Sequence, residues 1–355
     1  MESLSTPPRS PLWGENSPLD DSLMPLTRPS AIFGPSLSSA AEPIAPPVVA
    51  ALGDETWHSD ILAQAAMLFA NADYLTATYD LNAQGMVELH DAIIVPQWSQ
   101  PFGQLLLSQL LVTPHPSNVQ VLDVACGTGY PTLDIARYLG QNADVAGVDT
   151  WMLAIEHAKR KATTAWLRNV SFLHGDIAHF AMPEEHFDIV TSNLGYTSFA
   201  DRARALAVMT RLTRPNGWVL LTTPLQTAFR EFLDIYHNVL SELALTSSVD
   251  ALVALVKGRP TVASTRAAVE RTGLVVEREV TDRHVLTFID ARDFLTSPII
   301  ALNFMIGWRA IVPDVALRRL VFNEIERRLN TIATTQGELR FEVPMLCLST
   351  RRDVR

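Results

Sequence analysis

The sequence predicts an α/β protein built on a doubly wound, mainly parallel sheet. Three observations lead there. Val119–Val124 is a short apolar run, broken only by Gln120 and Asp123; it enters a tight glycine turn and leaves it in the helical spacing of Thr132–Tyr138. Beyond it, short apolar runs alternate with helix-length stretches as far as Thr223, the signature of right-handed βαβ units. Acids stand where successive strands should end, at Asp123, Asp149 and Asp176, and the carboxyl ends of parallel strands line the crevice of an open sheet.

Ahead of that core the chain changes character twice. Residues 1–52 carry nearly half of the 22 prolines, which rules out long regular elements and predicts a disordered tail. A short docking peptide anchored on Trp13, Ile32 or Phe33 is the sharper alternative for that tail. Residues 53–116 form a helical segment. Trp57–Asp73 places Ile61, Leu62, Ala65, Ala66, Leu68 and Phe69 at helical intervals, and Phe102–Val112 makes a second helix that ends at Thr113-Pro-His-Pro116. Between them lie Tyr74, Tyr79 and DAIIVPQWSQPF, with no element assigned.

The domain proper runs over 117–355. After the first strand and helix come strand Asp144–Val148, helix Met152–Trp166, strand Val170–Leu173, strand Phe187–Ser192, helix Asp201–Leu212, a turn at Arg214–Gly217 and strand Trp218–Thr223. Alternation then pauses for a helical insertion, 225–262, holding Gln226–Leu243 and Ser248–Lys257. It resumes with helix Ser264–Thr272 and strand Leu274–Val280. An irregular apolar stretch, Phe288–Val312, precedes helix Val315–Leu329 and a closing strand, Leu339–Leu348.

Composition narrows the function. A net charge of −10 counts against affinity through phosphate neutralisation, and so against nucleic acid as a partner. The lysines are only Lys159, Lys161 and Lys257, which reads as coding bias rather than a site. Two cysteines, Cys126 and Cys347, are too few for a disulfide framework or a cysteine metal site, and no metal is expected. The longest apolar run, near Pro298–Val312, is interrupted by Asn303 and Arg309 and too short to span a bilayer. With no basic-then-apolar leader pattern, a cytoplasmic location is expected.

The glycine turn selects a cofactor. Gly127-Thr-Gly129-Tyr-Pro-Thr132 lacks the third glycine of a dinucleotide turn, and no Gly-Lys-Ser/Thr follows for a phosphate loop. Asp123 is awkward beside a pyrophosphate but suited to an ammonium group. Asp149, a little over twenty residues beyond the start of the turn, is placed to accept both hydroxyls of a ribose. Asp176 with Ile177 is placed to accept from an adenine amine beside its ring. A ribose, an adenine and an amino-acid tail without phosphate fit these residues best.

At this point the chain resembles the class I S-adenosylmethionine-dependent methyltransferases, well over Val119 to Thr223 and more loosely over the final strands. VLDVACGTG resembles the family's D-x-G-x-G-x-G loop, with Ala125 in the first glycine position. HGDI (His174–Ile177) resembles the adenine-contacting turn and FDIVTSNLGY the fourth-strand motif beside the transferred methyl. LTRPNGWVLLTT resembles the L-x-K/R-P-G-G-x-L-L turn, with Asn216 tolerating the left-handed conformation of a missing glycine. The run Asn193–Asp201 is similar to quinone-type small-molecule methyltransferases and lacks the Asn-Pro-Pro-Tyr prolines used on exocyclic amines.

The resemblance implies a Rossmann-like sheet of seven strands with the last inserted antiparallel, and S-adenosylmethionine as cofactor. Its loop contacts would be Asp123, Ala125, Cys126, Gly127, Thr128 and Gly129. Asp149 and Thr150 would follow from the second strand, Gly175, Asp176 and Ile177 from the third, and Asn193 from the fourth. The acceptor would be a small, hydrophobic or aromatic molecule under a lid made from the insertion and Phe288–Val312. A catalytically silent interaction protein, or an enzyme acting on protein or RNA, are the rival classes.

Bland roles stand beside these. Cys126 is a loop filler with nothing nearby to lower its pKa. Asp188 is structural, His174 a satisfied loop histidine, and Phe229, Phe232 and Tyr236 either core or lid. Tyr196, Asp201, His237 and His284 are candidate bases that the sequence does not choose among.

Overall fold

The structure is a computed structural model that describes residue 12 and residues 67–83, 85–180 and 182–353. The tail with its anchor candidates, and most of the helix expected at Trp57–Asp73, lie outside the described residues.

One seven-stranded sheet organises the chain, in the order β3-β2-β1-β4-β5-β7-β6. The strands are β1 Gln120–Val124, β2 Asp144–Asp149, β3 Val170–His174, β4 Phe187–Asn193, β5 Thr213–Pro224, β6 Leu274–Phe288 and β7 Leu339–Arg352. The first five run parallel, and β7 enters antiparallel between β5 and β6, as the family resemblance implied. Successive strands are added outward from β1 through β2 to β3 on one side, and from β4 to β5 on the other. That places a topological switch point between β1 and β4, where ligands enter open α/β sheets.

Alternation along the strands feeds both faces. Val121, Ile189, Trp218 and Leu220 pack with Leu106, Leu110 and Ile135 on one side. Leu122, Val190, Val219 and Leu221 pack with Leu206, Met209 and Val269 on the other. Both faces are dry, which is why these strands read as near-continuous apolar runs.

The helices fall where period and capping chemistry put them. α1 Met86–Leu89 continues through a π-helical stretch, His90–Ser99, into α2 Gln100–Leu111. The sequence reading left DAIIVPQWSQPF without an element, and that is corrected here. Pro96 sits inside this helix, where it has no N–H to give and its ring crowds the turn before it. The backbone stays helical by taking the wider π form.

α3 Thr132–Leu139, α4 Met152–Thr164, α5 Gly195–Ser198 and α6 Arg202–Leu212 follow. α6 starts where the Asp201 carboxylate accepts the Arg204 N–H at 2.9 Å. The insertion becomes α7 Arg230–Glu242 and α8 Thr246–Lys257, and α9 Val262–Glu270 begins on a Thr261/Ser264 capping box. The apolar stretch expected to be irregular is three short helices, α10 Ala291–Thr296, α11 Pro298–Asn303 and α12 Met305–Ala310; α13 Val315–Gln336 then leads into β7. β6 also runs on to Phe288, well past the expected Val280, because β7 pairs with it along its whole length.

Phe229, Phe232 and Tyr236 are fully buried in the cluster that joins α7, α10, α12 and α13. The Tyr236 hydroxyl donates to the Trp308 carbonyl at 3.0 Å. These aromatics are core. Among the described residues no helix is long and apolar enough to cross a membrane.

Candidate active site

The glycine turn stands at the switch point, and the sequence explains its shape. Ala125, Gly127 and Gly129 have φ of 61°, 51° and 96°, so three left-handed residues fold the backbone back within five positions. A Cβ on Gly127 would meet nothing within 4 Å, whereas one on Gly129 would press on Ala158 and Leu133. Gly127 thus keeps backbone open to the crevice, and Gly129 allows α3 and α4 to pack beneath it.

Asp149, at the end of β2, ties this turn down. One carboxylate oxygen accepts the Gly127 N–H and the other the Trp151 N–H, both at 2.8 Å. Each oxygen keeps a lone pair for a hydroxyl donor. Asp176 is exposed enough to face the same crevice while capping a short turn, accepting the Ala178 N–H at 2.9 Å.

These residues form one wall of a cavity of about 810 Å³, near the upper end of the roughly 300–1,000 Å³ usual for ligand pockets. Ala125, Cys126, Gly127, Thr128, Asp149, Thr150, Gly175, Asp176, Ile177 and Asn193 all line it. The cavity also has an apolar lining. It comes from the π-helical stretch (Ile94, Trp98), from the insertion (Leu225, Ala228, Leu255) and from the loop between α11 and α12 with α12 itself (Phe304, Trp308). The insertion and the 288–312 stretch therefore both reach the cavity, as the sequence predicted of them.

Two expected contacts do not line it, and Asp123 is the more telling. It is 1 % exposed, its oxygens accepting the Thr132 hydroxyl at 2.6 Å and the Thr191 hydroxyl at 2.7 Å. It braces β1, α3 and β4 from beneath rather than presenting a carboxylate to an ammonium group. Burial raises its pKa to about 6 against the pull of those two hydroxyls. Gly129 also lies behind the turn, off the cavity wall.

Asn193 is at the wall but fully engaged, donating to the Ser99 carbonyl at 3.0 Å and accepting from Thr222 at 2.7 Å. The candidate bases Tyr196, Asp201, His237 and His284 are all off the wall. His174 is satisfied by the Thr150 carbonyl at 3.0 Å. Asp188 is structural, accepting the Gln120 N–H at 2.8 Å and Arg214 at 2.7 Å. Burial pushes the Cys126 thiol well above its ordinary pKa, with Asp123 and Asp149 adding to the effect, so it is inert filler.

Several residues that matter here escaped the sequence. Asp91, on the π-helical stretch, accepts the Thr128 hydroxyl at 2.6 Å and the Lys161 ammonium at 2.7 Å, with His157 at 3.2 Å. Lys161, taken from the sequence as coding bias, is a buried ion-pair partner. His90 and Trp151 line the cavity edge to face, ring centres 5.3 Å apart. His90 Nδ1 and Trp151 Nε1 are buried without a partner. Burial lowers the His90 pKa to about 4, so it is neutral at physiological pH.

Unpartnered buried polar atoms are rare in folded proteins. Two of them, on the wall that also holds open Gly127 and the half-used Asp149, fit a polar ligand with hydroxyls and ring nitrogens. An adenosine-bearing cofactor meets that description.

A family model described as a methyltransferase domain matches residues 115–260. That part of the chain is similar to methyltransferase domains. A ubiquinone/menaquinone biosynthesis C-methyltransferase of Psychromonas ingrahamii is 34 % identical over 130 residues, 35 % of this chain and 51 % of that protein. A demethylmenaquinone methyltransferase of Staphylococcus aureus is 32 % identical over 118 residues, 33 % of this chain and 48 % of that protein. The chain thus spans about half the length of the curated relatives it matches. Among solved structures, a methyltransferase from Aquifex aeolicus superposes with a TM-score of 0.42 at 15 % identity, covering 57 % of this chain and 93 % of that one. The matched residues stop before β6, β7 and α10–α13, and begin after the helix that carries His90, Asp91 and Trp98.

Proposed function

We propose that this methyltransferase moves the methyl group of S-adenosylmethionine to a small, apolar or aromatic acceptor. The supporting observation is a single cavity lined both by acids and glycines of the strand ends and by aromatic residues. The cofactor supplies an electrophilic methyl on a sulfonium, and the protein supplies alignment and exclusion of water.

Asp149 accepts the ribose hydroxyls, Asp176 and Ile177 receive the adenine, and Gly127 lets the turn's backbone approach the amino-acid end. Asp123 acts by positioning, through Thr132 and Thr191. Ile94, Trp98, Phe304 and Trp308 give the acceptor an apolar bed from which water is displaced. Among the described residues His90 is the one histidine on the cavity wall, and as a neutral imidazole of low basicity it is a hydrogen-bonding group rather than a strong base.

Titration calorimetry with S-adenosylhomocysteine should give a clear heat, weakened by roughly 1–3 kcal/mol in Asp149→Ala, the loss expected on unpairing buried hydroxyls. Incubation with methyl-labelled cofactor and a cell extract should place label in a small molecule that partitions into organic solvent. Label in protein or RNA would overturn the acceptor class, and no heat with S-adenosylhomocysteine would overturn the enzyme.

A further inference from the structure

Two arginines stand on the cavity wall, and their surroundings differ. Arg202 lies over the Tyr196 ring, 5.3 Å from its centre, at the start of α6. Arg259, in the loop between α8 and α9, donates through Nη1 to the Ala228 carbonyl at 2.8 Å. That is its one hydrogen bond to the described residues, and no carboxylate among them stands within ion-pair reach. Leu225, Ala228, Leu255 and Trp308, all apolar, line the same cavity. Burial alone lowers the Arg259 pKa to about 10, leaving it protonated at neutral pH with no counter-charge.

A half-buried guanidinium on a cavity wall, with most of its donors unused, favours an anion that completes it. The cavity's acids, Asp149 and Asp176, make no ion pair with Arg259; they accept backbone N–H groups at the ends of β2 and β3. Arg259 is carried by the insertion that walls the acceptor side, and the ribose- and adenine-side residues come from β2 and β3.

The geometry points to Arg259 as the anchor of an anionic oxygen on the methyl acceptor, which is then an apolar molecule bearing a carboxylate or ionised hydroxyl. This inference rests on the methyl-transfer reading and names its substrate class. The apolar bed takes the body of the acceptor, and the guanidinium, planar and forked, takes two oxygens or one ionised hydroxyl. The anion fixes which end of the acceptor faces the cofactor wall.

The test uses the full chain loaded with S-adenosylhomocysteine and two probes of one ring system, 1-hydroxy-2-naphthoate and its uncharged methyl ester. The loaded wild type should bind the acid at least about tenfold more tightly than the ester, the ratio expected of a charge-assisted contact. Arg259→Met should bring the two probes to about equal affinity, Arg259→Lys should keep part of the preference, and S-adenosylhomocysteine should bind all three proteins alike.

Equal affinity for acid and ester in the wild type, or a preference that survives in Arg259→Met, overturns the proposal. So does failure of both probes to bind the loaded protein at millimolar concentration. A tenfold loss of S-adenosylhomocysteine affinity in Arg259→Met assigns the arginine to the cofactor and overturns it too. Absence of any heat with S-adenosylhomocysteine in the wild type is a separate outcome, which removes the methyl-transfer reading itself.

Discussion

The Asp91 carboxylate lies 2.7 Å from the Lys161 ammonium, and Lys161 in turn donates to the Thr128 carbonyl at 3.1 Å. Seventy positions separate the two residues, and together they lock the helix ahead of the first strand onto the glycine turn. Burial works to raise the Asp91 carboxyl. The His157 and Lys161 contacts, with the Thr128 hydroxyl, outweigh it and hold the group well below the usual carboxylate range. A segment outside the matched residues is thereby made part of the cavity wall.

Breaking this pair from one side leaves the other charge buried. Lys161→Met should therefore cost about 3–5 kcal/mol in urea unfolding, and the double variant Asp91→Leu/Lys161→Met distinctly less. A double variant no more stable than the single one would show that the pair is not coupled.

Asp123 gives a signature in pH. Its folded pKa, about 6 against an ordinary 3.8, means that the folded state holds a proton the unfolded state has released between pH 4 and 6. Stability from this group is full below pH 4 and is lost as pH rises through 6. The stability difference between wild type and Asp123→Asn should shift by roughly 3 kcal/mol in favour of the wild type on going from pH 7 to pH 4. A flat difference would mean that the carboxylate is better solvated than its burial indicates.

Ala125 occupies a left-handed conformation, φ 61°, in which a Cβ costs about 1–2 kcal/mol. Glycine gives back roughly 0.5–1 kcal/mol through the unfolded chain. Ala125→Gly should accordingly raise the denaturation midpoint by an amount equivalent to up to about 1 kcal/mol, and Ala125→Val should lower it by more.

Trp151→Phe keeps the ring beside His90 and deletes the unpartnered Nε1–H. The free protein should become no less stable, since a buried unsatisfied donor is removed. S-adenosylhomocysteine should bind roughly tenfold more weakly if that donor is spent on the ligand. Unchanged affinity by calorimetry would show that the donor faces no cofactor atom.

Much of the core was readable in the sequence because it is written locally. Strands β1 to β5 announce themselves as short apolar runs, and β7 as the last of them. The turn shows in Gly127 and Gly129, Asp149 in its step from the turn, and the α6 start in Asp201. The helix through DAIIVPQWSQPF was missed because Pro96 speaks locally for a break, and the π ladder that accommodates it is not a 3.6-residue period. Lys161 looked like compositional noise because its partner is seventy residues away.

By itself, then, the sequence determined the α/β order of elements, the glycine turn and the acids Asp149 and Asp176, since periodicity, turn chemistry and strand-end position are properties of neighbouring residues. The tertiary structure decided what each polar group faces. It turned Asp123 inward onto Thr132 and Thr191, brought His90 and Trp151 to one wall, clamped Asp91 to Lys161 and left Arg259 without a counter-charge. Those outcomes depend on burial and on contacts between distant segments, which no local pattern of residues encodes.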